Sequence, residues 1–312
     1  MHNINEELLE VGTSSIGETI SIKKYTIDSG KEGKTIYIQG GTHGGEITLP
    51  IIRNLFDFLS TNLKCGKVII IPFANPVSWR QRIYFYTMGK FNFLNGKDFN
   101  RVFGKDNGDI NNKIATTILK QAEQADFAID LHTSRESKPY SIFSSLDYIK
   151  YVKYLNIFFN QYCQPTEEYT NTFDVQLYKR NIPNVVIECG SHDEVNRENI
   201  NNISNGIINL LKHFNMVEGE AILNKEFSYY EDPHLIYSEN GGIIEYHKNT
   251  GDFIKKGEKI LSILYGNLKS KPTEVCAPFD CYMVRASKTH ICDGHEEVAN
   301  LIKIEDLITI QN

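Results

Sequence analysis

Apolar and polar positions alternate regularly along the first two thirds of the chain. Four short apolar runs have the length of β-strands, at 35–39, 67–72, 126–131 and 184–188. Four longer stretches have the apolar spacing of helices, at 47–59, 112–125, about 145–161 and 195–214. Strands that are apolar throughout are covered on both faces, as in sheets built from repeated βα units. The pattern therefore predicts an α/β fold with a mostly parallel or mixed sheet and helices on both faces.

The last third of the chain has a different pattern. From about residue 225 the apolar runs are short, glycines such as Gly251 and Gly257 are frequent, and no long helix is indicated. Short strands separated by glycine turns are typical of small all-β domains. We therefore expect an α/β domain at 1–220 and a β-rich C-terminal domain, a small barrel or sandwich, at 221–312.

Composition narrows the function classes. The 312 residues include 33 lysines and arginines against 39 aspartates and glutamates, and this net charge of −6 does not favour nucleic acid as a partner. No apolar run reaches the ~18 residues of a membrane span, and the chain starts with a polar segment. Six cysteines without a CxxC pair argue against a disulfide framework and against a thiolate zinc cluster. We expect a cytoplasmic globular protein without a membrane partner, and we leave a homo-oligomer open.

The first candidate for chemistry is the segment Gly40-Gly-Thr-His-Gly-Gly-Glu46, between an apolar strand and an amphipathic helix. His43 and Glu46 are three residues apart, a spacing at which an imidazole and a carboxylate converge on one metal ion, zinc in particular. The glycines allow tight backbone geometry and leave room for a substrate. Taken alone, the segment also fits a glycine-rich turn with a capping glutamate, or a phosphate-binding loop.

Two further candidates lie at the ends of other apolar strands. His132 lies at the carboxyl end of its strand, where open α/β sheets bind their ligands, and Asp130 is placed to accept its second ring N–H. Glu188 ends another apolar run, where burial would raise its pKa and make it a usable general base. Each has an ordinary alternative, a histidine with satisfied hydrogen bonds or a capping or salt-bridged glutamate. Because three such elements coincide at strand ends, their combination indicates one catalytic metal site.

Arginines and an asparagine in the connection after the second strand form a fourth group. Arg80 and Arg82 follow an Asn-Pro pair, and Arg101 directly follows Asn100. Arginine binds carboxylates bidentately and an adjacent asparagine adds donors, so Asn100 and Arg101 predict a clamp for an acidic substrate. A solvated surface position is the alternative for any one of these arginines.

In chain order, the segments HGGE, NP, NR, DLH and IECG resemble those of the succinylglutamate desuccinylase/aspartoacylase family, relatives of the zinc carboxypeptidases. The resemblance covers essentially the whole chain, since this family also has a C-terminal β domain resembling a lipoyl-type barrel-sandwich. It implies a zinc carboxypeptidase-like sheet, with His43, Glu46 and His132 as the ligands of one zinc ion per chain. It further implies that Glu188 is the catalytic carboxylate.

The resemblance also implies how the substrate is held. Asn100 and Arg101 would bind its carboxylate, and an upstream arginine would polarise the scissile carbonyl group. In the family that arginine stands nine residues after the asparagine of the NP pair, where this chain has Tyr84. We therefore assign the role to Arg82, with Arg80 as the alternative.

We expect a zinc-dependent amidohydrolase that removes the acyl group from an N-acyl amino acid or a similar small amide, with Glu188 as general base. Arg180, eight residues before Glu188, is a further candidate for substrate binding, with a surface position as its alternative. Two other functions stay open, a metallocarboxypeptidase acting on a short peptide and a non-catalytic binding protein with a vestigial zinc site. We expect the C-terminal domain to narrow access to the site. A second metal site at His290, Cys292 and His295 is conceivable, although a solvated loop is the simpler interpretation.

Overall fold

The computed structural model describes residues 3–83, 86–105, 108–287 and 289–312. The strands of the first two thirds of the chain are β1 (Asn3–Thr13), β2 (Thr19–Asp28), β3 (Thr35–Gly40), β4 (Lys67–Ile71), β5 (Arg82–Ile83), β6 (Tyr86–Thr87), β7 (Phe127–Ser134), β8 (Glu136–Ser137), β9 (Tyr140–Phe143), β10 (Phe159–Tyr162) and β11 (Asn184–Ser191). Within the described residues, eight of them form one sheet in the order β1-β2-β4-β3-β7-β11-β9-β10.

The centre of this sheet is parallel and buried. β4, β3, β7 and β11 run in the same direction as neighbours, and their isoleucines and valines are almost fully inaccessible to solvent. β2 adds to β4 in the antiparallel sense, and so does β9 to β11. The result is a mixed sheet, which confirms the predicted fold class.

Six α-helices lie within the described residues: α1 (Leu49–Asn62), α2 (Pro76–Arg80), α3 (Ile110–Ala122), α4 (Ile149–Val152), α5 (Phe173–Tyr178) and α6 (Arg197–His213). The apolar sides of α1 and α6 pack on one face of the sheet, and those of α3 and α5 pack on the other. Two-sided cover explains why the central strands are apolar at consecutive positions. None of the described helices combines the length and the apolar content needed to cross a bilayer.

The β1–β2 hairpin was not predicted from the sequence. The inward positions of β2 start as an apolar alternation at Ile20 and Ile22, but the next inward residue is Lys24. Its ammonium group is buried against Glu7 at 3.0 Å and against the side-chain oxygen of Gln121 at 3.1 Å. A buried lysine with such partners is tolerated in a strand, and it hides the period-2 pattern.

The helix predicted at about 145–161 is wrong over its second half. Helical structure there consists of short consecutive turns that end at Leu155, and Asn156 then adopts a left-handed backbone with φ of 54°. Asparagine is one of the few residues that take this conformation readily, and it stops the helix. Residues 159–162 instead form β10, which pairs with β9 in the parallel sense.

The C-terminal region contains separate antiparallel sheets. Its strands are β12 (Glu226–Tyr229), β13 (His234–Tyr237), β14 (Gly242–Tyr246), β15 (Phe253–Ile254), β16 (Lys259–Leu264), β17 (Thr273–Cys276), β18 (Cys281–Ala286), β19 (Ile291–Cys292), β20 (Glu297–Lys303) and β21 (Ile308–Gln311). Two sheets, β13-β20-β18-β15 and β17-β16-β14-β19, enclose their own apolar core. β12 and β21 form a separate pair.

The C-terminal sheets are joined to the large sheet by backbone and side-chain contacts. β18 pairs with β8, and a small apolar cluster contains Tyr140 and Phe159 from the large sheet together with Tyr230 and Val284. Residues of β12 pack into the core of the large sheet. The division at 220/221 therefore stays a prediction, because the two regions share an interface and part of one core.

Candidate active site

The loop between β3 and α1 carries His43 and Glu46. Gly41 and Gly45 have φ of 69° and 82°, values that favour glycine, and a Cβ at Gly41 would lie 3.0 Å from the Cα of Phe73. Glycine therefore lets the chain turn tightly against the β4–α2 connection before α1 begins. His43 and Glu46 are both buried at the carboxyl end of β3.

His132 is held by a row of hydrogen bonds across the sheet. Asp130 and His132 lie on the same face of β7, since side chains alternate along a strand, and Nε2 of His132 lies 2.9 Å from Oδ2 of Asp130. Gln39 of β3 is in register with Asp130 and donates to its other oxygen at 2.9 Å. The ring is thereby fixed with Nδ1 directed at Glu46, 2.7 Å from Oε2.

His43 has the same arrangement with a different carboxylate. Its Nδ1 lies 2.8 Å from Oε1 of Glu46, and its Nε2 lies 3.0 Å from Oδ1 of Asp98. Asp98 also accepts the backbone N–H of Asn100 at 2.7 Å, which fixes its orientation. Asp98 was missed in the sequence, where the signal was an aspartate two residues before the Asn-Arg pair.

The three residues His43, Glu46 and His132 fit a metal ion. Their ligand atoms all lie within 4.8 Å of one another, and within the described residues no other group of three or more histidine, cysteine or acidic side chains meets this condition. His290, Cys292 and His295 therefore do not form a second such group. Oε2 of Glu46 is buried and makes no regular hydrogen bond despite the nearby His132 ring. Two imidazoles and a carboxylate, with carboxylates behind both rings, are a typical zinc donor set.

The carboxylate of Glu46 and the imidazoles of His43 and His132 shift one another's pKa values. Burial opposes ionisation of Glu46, but the two imidazoles outweigh it and lower the pKa of its carboxyl group. Burial likewise disfavours charged imidazoles, yet the neighbouring carboxylates raise the pKa of both His43 and His132. The pKa of Asp98 is lowered to about 2, because the His43 contact outweighs desolvation. The ionised carboxylates of Glu46 and Asp98 thus favour a cation at this position.

Glu188 lies on β11 directly opposite His132 of β7. Burial raises the pKa of its carboxyl group, His132 opposes this effect, and the charge of Glu46 adds to it. Its Oε2 is buried and has no hydrogen-bond partner within the described residues. Glu188 is in a strand and so does not cap a helix. The carboxylate is therefore free to contact a molecule bound beside the His43–Glu46–His132 group.

Asn100 and Arg101 are connected to the His43–Glu46–His132 group by Asp98, which contacts His43 and accepts the backbone N–H of Asn100. The side-chain oxygen of Asn100 accepts the backbone N–H of Phe173 at 2.9 Å, at the start of α5. Arg101 donates to the backbone carbonyl of Asn100 at 2.9 Å, and its guanidinium group lies 5.0 Å from the ring centre of Tyr169. Part of both side chains is thus used to order this loop, and their role as a substrate clamp stays a prediction.

Arg80 and Arg82 flank a buried residue. Gln81 fixes the following loop with hydrogen bonds to the backbone of residues 88, 91 and 93, while both arginine side chains are exposed. Neither guanidinium group has a partner among the described residues. Tyr84, which occupies the position of the family's polarising arginine, lies outside the described residues. The choice between Arg80 and Arg82 stays open.

The hydrogen bonds of Arg180 go to residues outside the candidate active site. Its Nε lies 2.7 Å from Oε1 of Glu123, and Nη1 donates to the backbone and side-chain oxygens of Gln176. It precedes the first residue of β11 by four positions, whereas Glu188 and His132 lie towards the carboxyl ends of their strands. A substrate contact of Arg180 stays a prediction.

Comparison with known proteins identifies the family to which this candidate site belongs. The sequence model of the succinylglutamate desuccinylase/aspartoacylase catalytic domain matches residues 32–214, more than half of the chain. The chain belongs to this family. The matched segment contains every side chain of the His43–Glu46–His132 group and Glu188, so the candidate site lies within the part that defines the family.

Individual relatives agree with this assignment. N-alpha-acetyl-L-2,4-diaminobutyric acid deacetylase of Halomonas elongata is 26% identical over 251 residues, covering 74% of this chain and 71% of that protein. A succinylglutamate desuccinylase/aspartoacylase structure from Shewanella frigidimarina superposes with a TM-score of 0.87 at 17% identity and covers 99% of both chains. The product-bound ectoine utilization protein EutE (DoeB) of Ruegeria pomeroyi gives 0.80 at 18% identity, over 96% of this chain and 94% of that one. The two structures share the fold of this chain, including its C-terminal region.

Proposed function

We propose that this protein is a zinc-dependent deacylase that hydrolyses the amide bond of an N-acyl amino acid or a similar small amide. The observation that carries the proposal is the buried His43–Glu46–His132 group with the unpartnered carboxylate of Glu188 on the adjacent strand. The family and the deacetylase relative from Halomonas elongata support an amide substrate. Zinc held by three protein ligands would supply an open coordination position, activation of water at neutral pH and polarisation of the amide carbonyl.

Glu188 is the general base of the proposed reaction. Its carboxylate accepts a proton from the attacking water molecule and then gives this proton to the departing amine. The pKa of Glu188 is raised chiefly by burial, which increases its basicity relative to an exposed glutamate. Because Oε2 has no partner within the described residues, the proton transfer breaks no existing hydrogen bond there.

Asp98 and Asp130 orient the two histidines. Each accepts a hydrogen bond from an Nε2–H group, which leaves the lone pair of Nδ1 directed at the metal position beside Glu46. Arg82, or Arg80 in its place, stabilises the negative charge that develops on the carbonyl oxygen. Asn100 and Arg101 bind a carboxylate group of the substrate.

A substrate panel tests the proposal. The zinc-loaded protein is incubated with N-acetyl, N-succinyl and N-formyl amino acids and with dipeptides, and released amine is measured. We expect release from at least one class of N-acyl amino acid. Release from dipeptides alone would assign the protein as a metallocarboxypeptidase, and no release with zinc fully bound would assign it as a binding protein.

A further inference from the structure

Arg285 belongs to the C-terminal region but lies against the large sheet. It is part of β18, which pairs antiparallel with β8, and its backbone partner there is Ser137. β8 directly follows β7, the strand that carries His132. The strand pairing therefore brings a cationic side chain from the second region to the carboxyl end of β7, where the candidate site lies.

Only some of the N–H donors of the Arg285 guanidinium group have hydrogen-bond partners in the protein. Nη1 donates to the hydroxyl group of Tyr140 at 3.3 Å, and the group lies 5.6 Å from the centre of the same ring. Nε is buried and has no hydrogen-bond partner within the described residues. The carboxylate of Glu297 is bonded instead to Arg135 at 2.7 Å and to Asn300 at 2.8 Å. Arg285 itself is only partly buried, and the charges of Glu188 and Glu297 help to keep it ionised. A buried N–H donor without an acceptor is nevertheless costly, which indicates that an anion from outside the chain binds there.

The surroundings of Arg285 connect it to the catalytic carboxylate. Tyr140 of β9 is paired in register with Glu188 of β11, so Arg285 lies on the Glu188 side of the site. Asn100 is on the other side, since its neighbour Asp98 contacts His43 after β3. In the sheet order, β3 and β9 flank the β7–β11 pair. The two groups of donors thus approach a bound molecule from different directions.

We propose that Arg285 binds a carboxylate group of the substrate, so that the C-terminal region contributes a specificity-determining residue to the active site. This inference rests on the proposed hydrolysis of N-acyl amino acids. Two carboxylates have the required chemistry, the α-carboxylate of the amino acid and the terminal carboxylate of a dicarboxylic acyl group. Either offers two oxygens to the planar donors of a guanidinium group.

Paired substrates distinguish these two sources. The first pair is an N-acetyl amino acid and its α-carboxamide, and the second pair is an N-succinyl and an N-butanoyl derivative of the same amino acid. The preference for the acid within each pair is measured as a ratio of kcat/KM for the wild type, Arg285→Gln and Arg285→Lys. Calorimetric titration of the same compounds gives a second reading that does not need turnover.

We expect Arg285→Gln to reduce the preference for the acid in one of the two pairs by about 10- to 100-fold, the range for loss of a charged hydrogen bond. Arg285→Lys keeps the positive charge but not the planar arrangement of N–H donors, so the preference for the acid should fall less than in Arg285→Gln. The pair that responds identifies which carboxylate is bound. Arg135→Gln is the matched control, because Arg135 also joins the two regions but does so through an exposed ion pair with Glu297. This variant should change neither ratio by more than about twofold.

Equal losses on the acid and on its neutral partner would overturn the proposal, since Arg285 would then act only on Glu188 or on folding. Unchanged ratios and unchanged calorimetric affinities would overturn it as well. Both results differ from failure of the proposed function, in which the wild type itself releases no amine from any N-acyl compound. In that event the calorimetric preference for the acid still decides the role of Arg285.

Discussion

The two sides of the candidate site are built in different ways. On the strand side, His132 and Glu188 lie on adjacent parallel strands, and His43 and Glu46 lie in the loop that directly follows a third strand, β3. On the loop side, Arg82 starts the two-residue strand β5 and Arg101 lies in an irregular segment, and their guanidinium groups are exposed or bonded to nearby backbone. Sheet register sets the relative positions of the three strand ends on the strand side, whereas the loop side belongs to the long connection between β4 and α3. We infer that the chemistry of the site and its substrate preference can be altered separately by mutation.

The largest effect is expected from removal of a ligand on the strand side. His43→Ala and His132→Ala each leave two of the three protein ligands, so both variants should lose bound zinc and all measurable turnover. Zinc content is measured by elemental analysis after gel filtration. His234→Ala, at an exposed position of β13, is the control and should keep one zinc per chain. Full zinc occupancy in both ligand variants would refute the ligand assignment.

Glu188→Gln separates the base from the metal site. Glutamine keeps the shape of the side chain but cannot accept the proton, so turnover should fall at least about a hundredfold while zinc stays bound. Steady-state kinetics and metal analysis on the same preparation give both values. Glu194→Gln, at an exposed position after β11, should behave as the wild type. Near-normal turnover of Glu188→Gln would remove this residue from the mechanism.

Asp98 connects the two sides, since it belongs to the loop but holds His43. Asp98→Asn should weaken zinc binding by about 10- to 100-fold, because His43 loses the carboxylate that orients its ring. Competition with a chromophoric chelator measures the affinity. Asp57→Asn changes an exposed aspartate of α1 that pairs with Arg53, and it serves as the control. If zinc affinity is the same in both variants, Asp98 has no part in holding the metal.

The smallest effect is expected on the loop side. Arg101→Ala should lower kcat/KM for free-acid substrates by about tenfold and leave their amides nearly unchanged, because only the acids use the ion pair. Zinc content should not change. Equal losses on acids and amides would instead assign Arg101 a structural role, through its contacts with Asn100 and Tyr169.

The strand side was predictable because each of its residues ends or follows an apolar run. Parallel strands end at the same edge of a sheet, so His43, Glu46, His132 and Glu188 were expected to converge before any contact was known. The structure brings the first three within 4.8 Å and pairs His132 with Glu188 in register. Sequence reasoning works here because strand position determines spatial position.

Asp98 and Arg285 could not be found in this way, since their importance depends on contacts between distant segments. Asp98 lies 55 positions from His43, in a loop whose path is not encoded by a periodic pattern. Arg285 gave one weak signal, a charged residue in the otherwise apolar strand Cys281–Ala286. Its neighbour Tyr140 comes from the other region of the chain, and the β8–β18 pairing helps to bring the two together.

The central claim is that zinc at the His43–Glu46–His132 group is required for hydrolysis of an N-acyl amino acid. The most direct test is to remove the metal by chelation, add zinc back in fractions of one equivalent, and measure released amine at each step. We predict no release without metal and a linear rise that ends at one zinc per chain. Amine release that persists in the metal-free protein, or that is absent at full zinc occupancy, would contradict the account.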